Sequence, residues 1–211
     1  QKPVGIKIII SSREGFEEFA CEINERNAKN IAGVPDFISI DGGDGGTATA
    51  PLFLMDRVGL EVNDAIHIAN NVLTEFGIRD KVKLIAASKI LTPDDIAVVM
   101  ALGADFIYIA RGFMMSGGCI RARVCSGAAN HQCPVGLATQ DKKLRSSYLV
   151  SKHAIKTANY HKHLLAGVKT LLAVTGIKDV KDLTKEHLTL IDKNGFIYTD
   201  INRYLEKKIK L

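Results

Sequence analysis

The stretch KLIAASKILTPDDIAVVMALGADFIYIARG, from Lys83 to Gly112, decides the fold. Its two ends, Lys83 to Ser88 and Phe106 to Ala110, are short apolar runs of the kind that form strands covered on both faces. Between them Thr92 stands as a helix N-cap and Pro93 takes the first helical position, where a missing N–H is harmless. The pattern from Pro93 to Leu102 is helical. Strand, helix and strand in this order imply parallel pairing through a right-handed crossover.

Working outward, two earlier runs, GIKIII (Gly5 to Ile10) and FISID (Phe37 to Asp41), read as further buried strands. Helical patterns run from Gly15 to Asn30 and from about Asp64 to Phe76. The order βαβαβαβα leaves a doubly wound sheet or a (βα) barrel, and a complete eight-unit barrel takes about 250 residues. Four units end near Ala122, followed by a loop, a long helix from about Ser146 to Thr175 and a mixed tail. The boundaries GVPDF and LGADF both introduce strands, as repeated βα units would. We expect an α/β chain forming the carboxyl half of a (βα)8 TIM-type barrel. Its first domain would cover 1–140, with a cysteine loop at 117–140, and a helical extension and tail would cover 141–211. The chain begins two residues before Pro3 and its first strand, so a half-barrel preceding it is the expected partner.

With 211 residues, 46% hydrophobic, 24% charged and 18 glycines, the composition excludes fibrous and disordered classes. No apolar run approaches the roughly 20 residues that span a bilayer, and no secretory signal opens the chain, so the expected location is cytoplasmic. The net charge of +5 is uneven: Lys142 to Lys178 holds eight Lys or Arg and no Asp or Glu. That face suits an acidic partner, and the lack of interleaved aromatics argues against nucleic acid.

Candidate chemistry gathers where strands end. Lys7 lies inside the first strand, where burying an ammonium needs an anionic partner, so it reads as a cation for a cofactor or substrate anion or as a Schiff-base amine. DGGDGGTATAP (Asp41 to Pro51) follows the second strand; its four glycines allow close backbone approach, and Asp41 and Asp44 can orient polar groups. Ser88 and Lys89 close the third strand, and Arg111 and Gly112 open a helix after the fourth, where an anion would be welcome. Met114 and Met115 read as core gap fillers.

Three of the four cysteines, Cys119, Cys125 and Cys133, are separated by five and seven residues, unlike the two-residue gaps of zinc ribbons. In a reducing compartment such a cluster points to metal or redox chemistry. A three-thiolate iron-sulfur site and a zinc site completed by His131 both remain open. Pro134 directly after Cys133 echoes the Cys-Pro ending of cluster-binding runs, and Cys21 reads as a buried structural cysteine.

Taken together, PVGIK, SIDGGDGGTATAP, ARGFMMSGGC and CPVGLATQD resemble the FMN-binding synthase domain of the glutamate synthase family, from Pro3 to about Asp141. The resemblance implies a (βα)8 barrel holding FMN beside a 3Fe–4S cluster. It places Lys7 near flavin and 2-oxoglutarate, and Asp44, Gly45, Gly46 and Thr47 in a glycine-rich active-site loop with Asp41, Gly42 and Gly43. It sets Ser88, Arg111 and Gly112 at the FMN phosphate, and Cys119, Cys125 and Cys133 as cluster ligands. The seven-residue gap before Cys133 is longer than the family usually has, and AASK and TATAP replace its usual strand-end motifs. The implied activity is that of a flavin- and iron-sulfur-dependent oxidoreductase acting on CH–NH2 donors. It would reduce 2-iminoglutarate, formed from 2-oxoglutarate and ammonia, to glutamate. Electrons would come from ferredoxin or a pyridine-nucleotide reductase subunit, and the 211-residue piece alone would be inactive. Two other readings are an aldolase-like barrel using Lys7 and a zinc-stapled scaffold without catalysis.

Overall fold

The computed structural model describes residues 2–43, 58–125, 132–191 and 197–198. Four parallel strands, β1 (Gly5–Ile9), β2 (Phe37–Asp41), β3 (Lys83–Ala87) and β4 (Phe106–Tyr108), pair in sequence order. Helices α1 (Arg13–Ala28), α2 (Val62–Glu75) and α3 (Pro93–Ala101) alternate with them, and the short α4 (Arg111–Ser116) follows β4. Then come α5 (Lys142–Arg145) and the long α6 (Val150–Thr175), two 3-10 turns at Val180–Asp182 and Lys185–His187, and an antiparallel pair, β5 (Leu190–Ile191) and β6 (Ile197–Tyr198). This is an α/β fold on a parallel sheet. No helix among the described residues is long and apolar enough to cross a membrane.

Local chemistry sets each helix. Ser12 caps α1 by accepting from the Gly15 N–H at 3.1 Å. Phe16, Ala20 and Ile23 are spaced to turn one face inward, and all are buried. Thr92 and Asp95 form a capping box on α3, with Pro93 in the first turn as the sequence predicts. Helix α6 begins at Val150, four residues later than expected, because Lys142–Arg145 turns separately under the Asp141 cap. It ends at Gly176, whose φ of 74° is the left-handed conformation that stops helices.

The strand boundaries GVPDF and LGADF share one device. The Asp36 N–H donates to the Val4 carbonyl while the Asp36 carboxylate accepts from the Val4 N–H. Asp105 makes the same reciprocal pair with Leu84. Arg79 secures the second corner, donating to Asn70 Oδ1, the Val82 and Gly103 carbonyls and Asp105 Oδ2 at 2.7 to 3.0 Å.

The register alternates side chains between two faces. Ile38, Ile40, Leu84 and Ala86 face the helices and are fully buried against Phe16, Ile66, Val72 and Leu73 in one core. The opposite face carries Lys7, Ser39, Ile85 and Phe106 in one row, and Ile9, Asp41, Ala87 and Tyr108 in the next. Here the expectation of strands covered on both faces holds for β2 and β3 only. Ile9, Phe106 and Tyr108 are about half exposed, because β1 and β4 are edge strands and nothing among the described residues covers this face beside them. Helix α6 packs on α3 and α4: Leu164 is buried, Tyr160 Oη donates to the Leu91 carbonyl at 2.8 Å, and a methyl at Gly167 would overlap Pro93. The chain then returns to α2, where Lys185 Nζ donates to Asn71 Oδ1 at 2.8 Å.

His67 of α2 is buried, with Nε2 3.1 Å from Asn71 Nδ2 and with no partner for Nδ1 among the described residues. Burial, reinforced by the Lys185 and Arg13 cations, pushes its pKa from the ordinary 6.5 down to about 4. The unfolded chain therefore binds a proton that the folded one refuses. This contribution to stability is fully present above pH 6.5 and is lost as pH falls toward 4, by on the order of 3 kcal/mol. Urea denaturation across that window should show the loss, and His67→Gln should flatten it.

Candidate active site at the carboxyl rim of the sheet

Parallel pairing delivers the carboxyl ends of all four strands to one rim, the usual ligand edge of such sheets. Lys7 lies two residues inside the end of β1, Asp41 ends β2, Ser88 and Lys89 follow β3, and Arg111 and Gly112 open α4 after β4. A larger cleft of about 740 Å³ opens at the amino ends of β3 and β4, between Lys83, Phe106 and Lys185, away from this rim.

Lys7 Nζ stands 2.6 Å from Asp41 Oδ2. Its side chain is 56% exposed, against 14% for Asp41, so the lysine is not buried as its sequence context predicts. The difference follows from the edge position of β1. Beside it in the register Ser39 is 3% exposed, with an Oγ that finds no partner among the described residues.

The glycines after β2 have structural duties. The Gly42 N–H donates to the Ala87 carbonyl at 3.0 Å, and the Gly43 N–H to the Leu60 carbonyl at 2.7 Å. A methyl on Gly43 would overlap the Val58 and Gly59 carbonyls. Both amides are therefore committed to main chain rather than open to a ligand. Asp44, Gly45, Gly46 and Thr47 lie outside the described residues, as does His131.

At the end of β3 the backbone is strained at two successive residues: Ser88 has φ 141° and Lys89 φ 46°, neither of them glycine. Such conformations cost about 1–3 kcal/mol each and gather at functional sites. They border a cavity of about 230 Å³ between the starts of α2 and α3, lined also by Glu61, Asn63 and Asp95. Gly112 is buried, and Tyr160 Oη occupies the space its Cβ would need, so its lack of a side chain has a packing cause that sequence reasoning missed.

Past α4 the three cysteines do come together. Cys119, Cys125 and Cys133 line one small cavity, about 30 Å³, with Met114, Val124 and Leu137 among its apolar walls. The Arg121 N–H points at Cys119 Sγ at 3.4 Å, and Arg121 and Arg123 both adopt left-handed φ near 57°. Backbone turns that point N–H groups at one spot form anion-binding concavities found at many iron-sulfur sites, and the Arg121 N–H is directed in this way. Burial pushes the Cys133 thiol up, but the N–H groups of Ala138, Val135, Leu137 and Gly136 outweigh it and hold the thiol below its ordinary range. Among the described residues, no three ligating side chains converge on a point where one metal ion would sit. Two readings are corrected: Cys21 is exposed on the outside of α1, and Met114 and Met115 are each 43% exposed rather than filling the core.

A family model described as a conserved region in glutamate synthase matches residues 1–178. The glutamate synthase large subunit-like protein YerD of Bacillus subtilis is 41% identical over 197 residues, which are 93% of this chain and 36% of that protein. An archaeal-type glutamate synthase (NADPH) of Thermotoga maritima is 31% identical over 87% of this chain and 34% of its own length. A ferredoxin-dependent glutamate synthase of Pyropia yezoensis is 31% identical over 93% of this chain and 12% of its own. The chain thus spans about a third or less of the length of these relatives. With the match covering the strands, the rim and the three-cysteine loop, the chain belongs to the glutamate synthase family.

Proposed function

We propose that this chain is the carboxyl half of the (βα)8 barrel of a flavin- and iron-sulfur-dependent oxidoreductase that reduces 2-iminoglutarate to glutamate. In this reading residues 1–140 form the half-barrel with its cysteine loop, and 141–211 form the helical extension. The observation that carries it is the convergence of three thiols on one cavity, one short helix away from the strand-end rim. The donor set is three soft sulfur ligands on one cavity, with the Arg121 N–H directed at Cys119 Sγ, and thiolates of this kind are what iron-sulfur clusters use. Cys119, Cys125 and Cys133 would hold a 3Fe–4S cluster.

At the rim, Ser88 Oγ, Lys89 and Arg111 would take the FMN phosphate with their side chains, since the Gly42 and Gly43 amides are already bonded. Gly42 and Gly43, held by the Ala87 and Leu60 carbonyls, directly precede Asp44, Gly45, Gly46 and Thr47, which the resemblance assigns to the active site. The Lys7 ammonium, exposed and steadied by Asp41, would bind a carboxylate of the 2-oxo acid or the flavin's anionic edge. When bound, FMN supplies a hydride to the imine carbon and the cluster relays single electrons to it from an external donor. Condensing 2-oxoglutarate with ammonia releases one water, and hydride plus one proton completes the amine. Asp44 is the proposed group for orienting the proton transfer. Lys7 lacks the apolar enclosure that activates a Schiff-base amine, which disfavours the aldolase reading.

The donor would be ferredoxin or a pyridine-nucleotide reductase subunit, in keeping with the ferredoxin-dependent and NADPH names of the relatives. Lys152 and Lys156, exposed on α6 in the stretch without acids, would meet its acidic surface.

Anaerobically purified full-length protein should contain FMN and about three irons per chain, and Cys125→Ser should lose iron while keeping flavin. Stoichiometric zinc without flavin would instead establish the scaffold reading. Lys7→Met should lower kcat/KM for 2-oxoglutarate about a hundredfold, as removal of a charge-stabilising group does. Reversing Lys152 and Lys156 to Glu should slow reduction by the donor at low salt and much less at high salt, where such steering is screened.

A further inference from the structure

Cys119 owes its position to the end of α4. The Cys119 N–H donates to the Met114 carbonyl and the Gly118 N–H to the Met115 carbonyl, both at 2.9 Å. With Gly118 at φ 102°, this is the paired closure of a helix on a left-handed glycine, and Cys119 is the next residue out. The direction in which its thiol leaves the helix is therefore set by Gly118.

Gly118 is in turn held by residues that neither line the thiol cavity nor stand out in the sequence. The ring of His153, in the first turn of α6, packs on it so closely that a Cβ would come within 2.6 Å of Cε1 and 2.8 Å of Nδ1. Tyr148 stacks on that imidazole, ring centroids 4.4 Å apart and planes 5° from parallel. Tyr148 Oη donates to the Gly117 carbonyl at 2.6 Å. One residue earlier, Ser116 Oγ meets Thr157 Oγ1 of α6 at 3.4 Å. His153 Nδ1 is buried and finds no partner among the described residues, so among them the imidazole contributes shape, at a desolvation cost of about 1–3 kcal/mol.

We infer that Tyr148 and His153 are positioning residues that clamp Gly117 and Gly118 and thereby aim the Cys119 thiol at the group shared with Cys125 and Cys133. The inference rests on the cluster reading above. It predicts an effect on occupancy and electronic structure of the cluster, since hydrogen bonding and ligand geometry set both, and not on flavin binding.

The test uses the full-length protein, with iron and sulfide per chain, the paramagnetic resonance spectrum of the oxidised cluster, FMN content and thermal unfolding measured on each sample. His153→Ala should lose more than half of its iron or change the spectrum while FMN stays at the wild-type level. Tyr148→Phe, which keeps the ring and loses the bond to Gly117, should shift the spectrum with less iron lost. Gly118→Ala, which meets both the His153 ring and the penalty of a left-handed φ, should lose nearly all iron while FMN stays at the wild-type level. Wild-type iron and spectrum in both His153→Ala and Tyr148→Phe would overturn the inference. So would parallel loss of FMN and iron, which would assign the stack to folding. A wild-type protein with FMN and no iron would sink the cluster reading itself, and the inference with it.

Discussion

Everything in this molecule depends on parallel pairing of four strands whose crossover helices all lie on one face. A parallel pair cannot be joined by a tight turn, so each strand must return through a helix, and right-handed crossovers put those helices together. Two consequences follow at once. The helix-side residues Ile38, Ile40, Leu84 and Ala86 have a core to enter, and the carboxyl ends of all strands emerge at one rim. Lys7, Asp41, Ser88, Lys89 and Arg111, spread over more than a hundred residues, become neighbours only because of this arrangement.

The same constraint leaves the other face of the sheet open beside β1 and β4. Phe106 and Tyr108 face outward from one edge strand while Ile9 does so from the other. Each would be a costly exposure in a closed sheet, where both faces of a parallel strand are covered. Lys7 is affected as well. Its ammonium keeps contact with water and is steadied by one carboxylate, a pairing that avoids the large penalty of burying both charges.

Helix α6 links the sheet to the cysteine loop. Through Tyr160 it reaches Leu91 and fills the space above Gly112, and through its first turn it presses on Gly118. Small residues along α4 are thus docking points for aromatic side chains of α6. The backbone strain at Ser88 and Lys89 and the left-handed Arg121 and Arg123 lie at the two places where the chain leaves regular structure to build a site.

Much of this was legible from the chain alone, for a physical reason: strands, helices and caps are written in short-range pattern. The apolar run FISID announces β2, Thr92 and Pro93 announce α3, and repeated Asp-Phe boundaries mark two strand starts that share one hydrogen-bond device. The three clustered cysteines were visible because thiols are rare and their chemistry is specific. What the pattern could not contain was the environment of each group. Whether Lys7 is buried depends on what covers an edge strand, and whether the Gly42 and Gly43 amides are open depends on carbonyls of Ala87 and Leu60, distant in sequence. Gly112 and Gly118 look alike as letters, yet one makes room for Tyr160 and the other for His153. Those pairings join residues about 35 to 50 positions apart, and only the packing of α6 against α4 creates them.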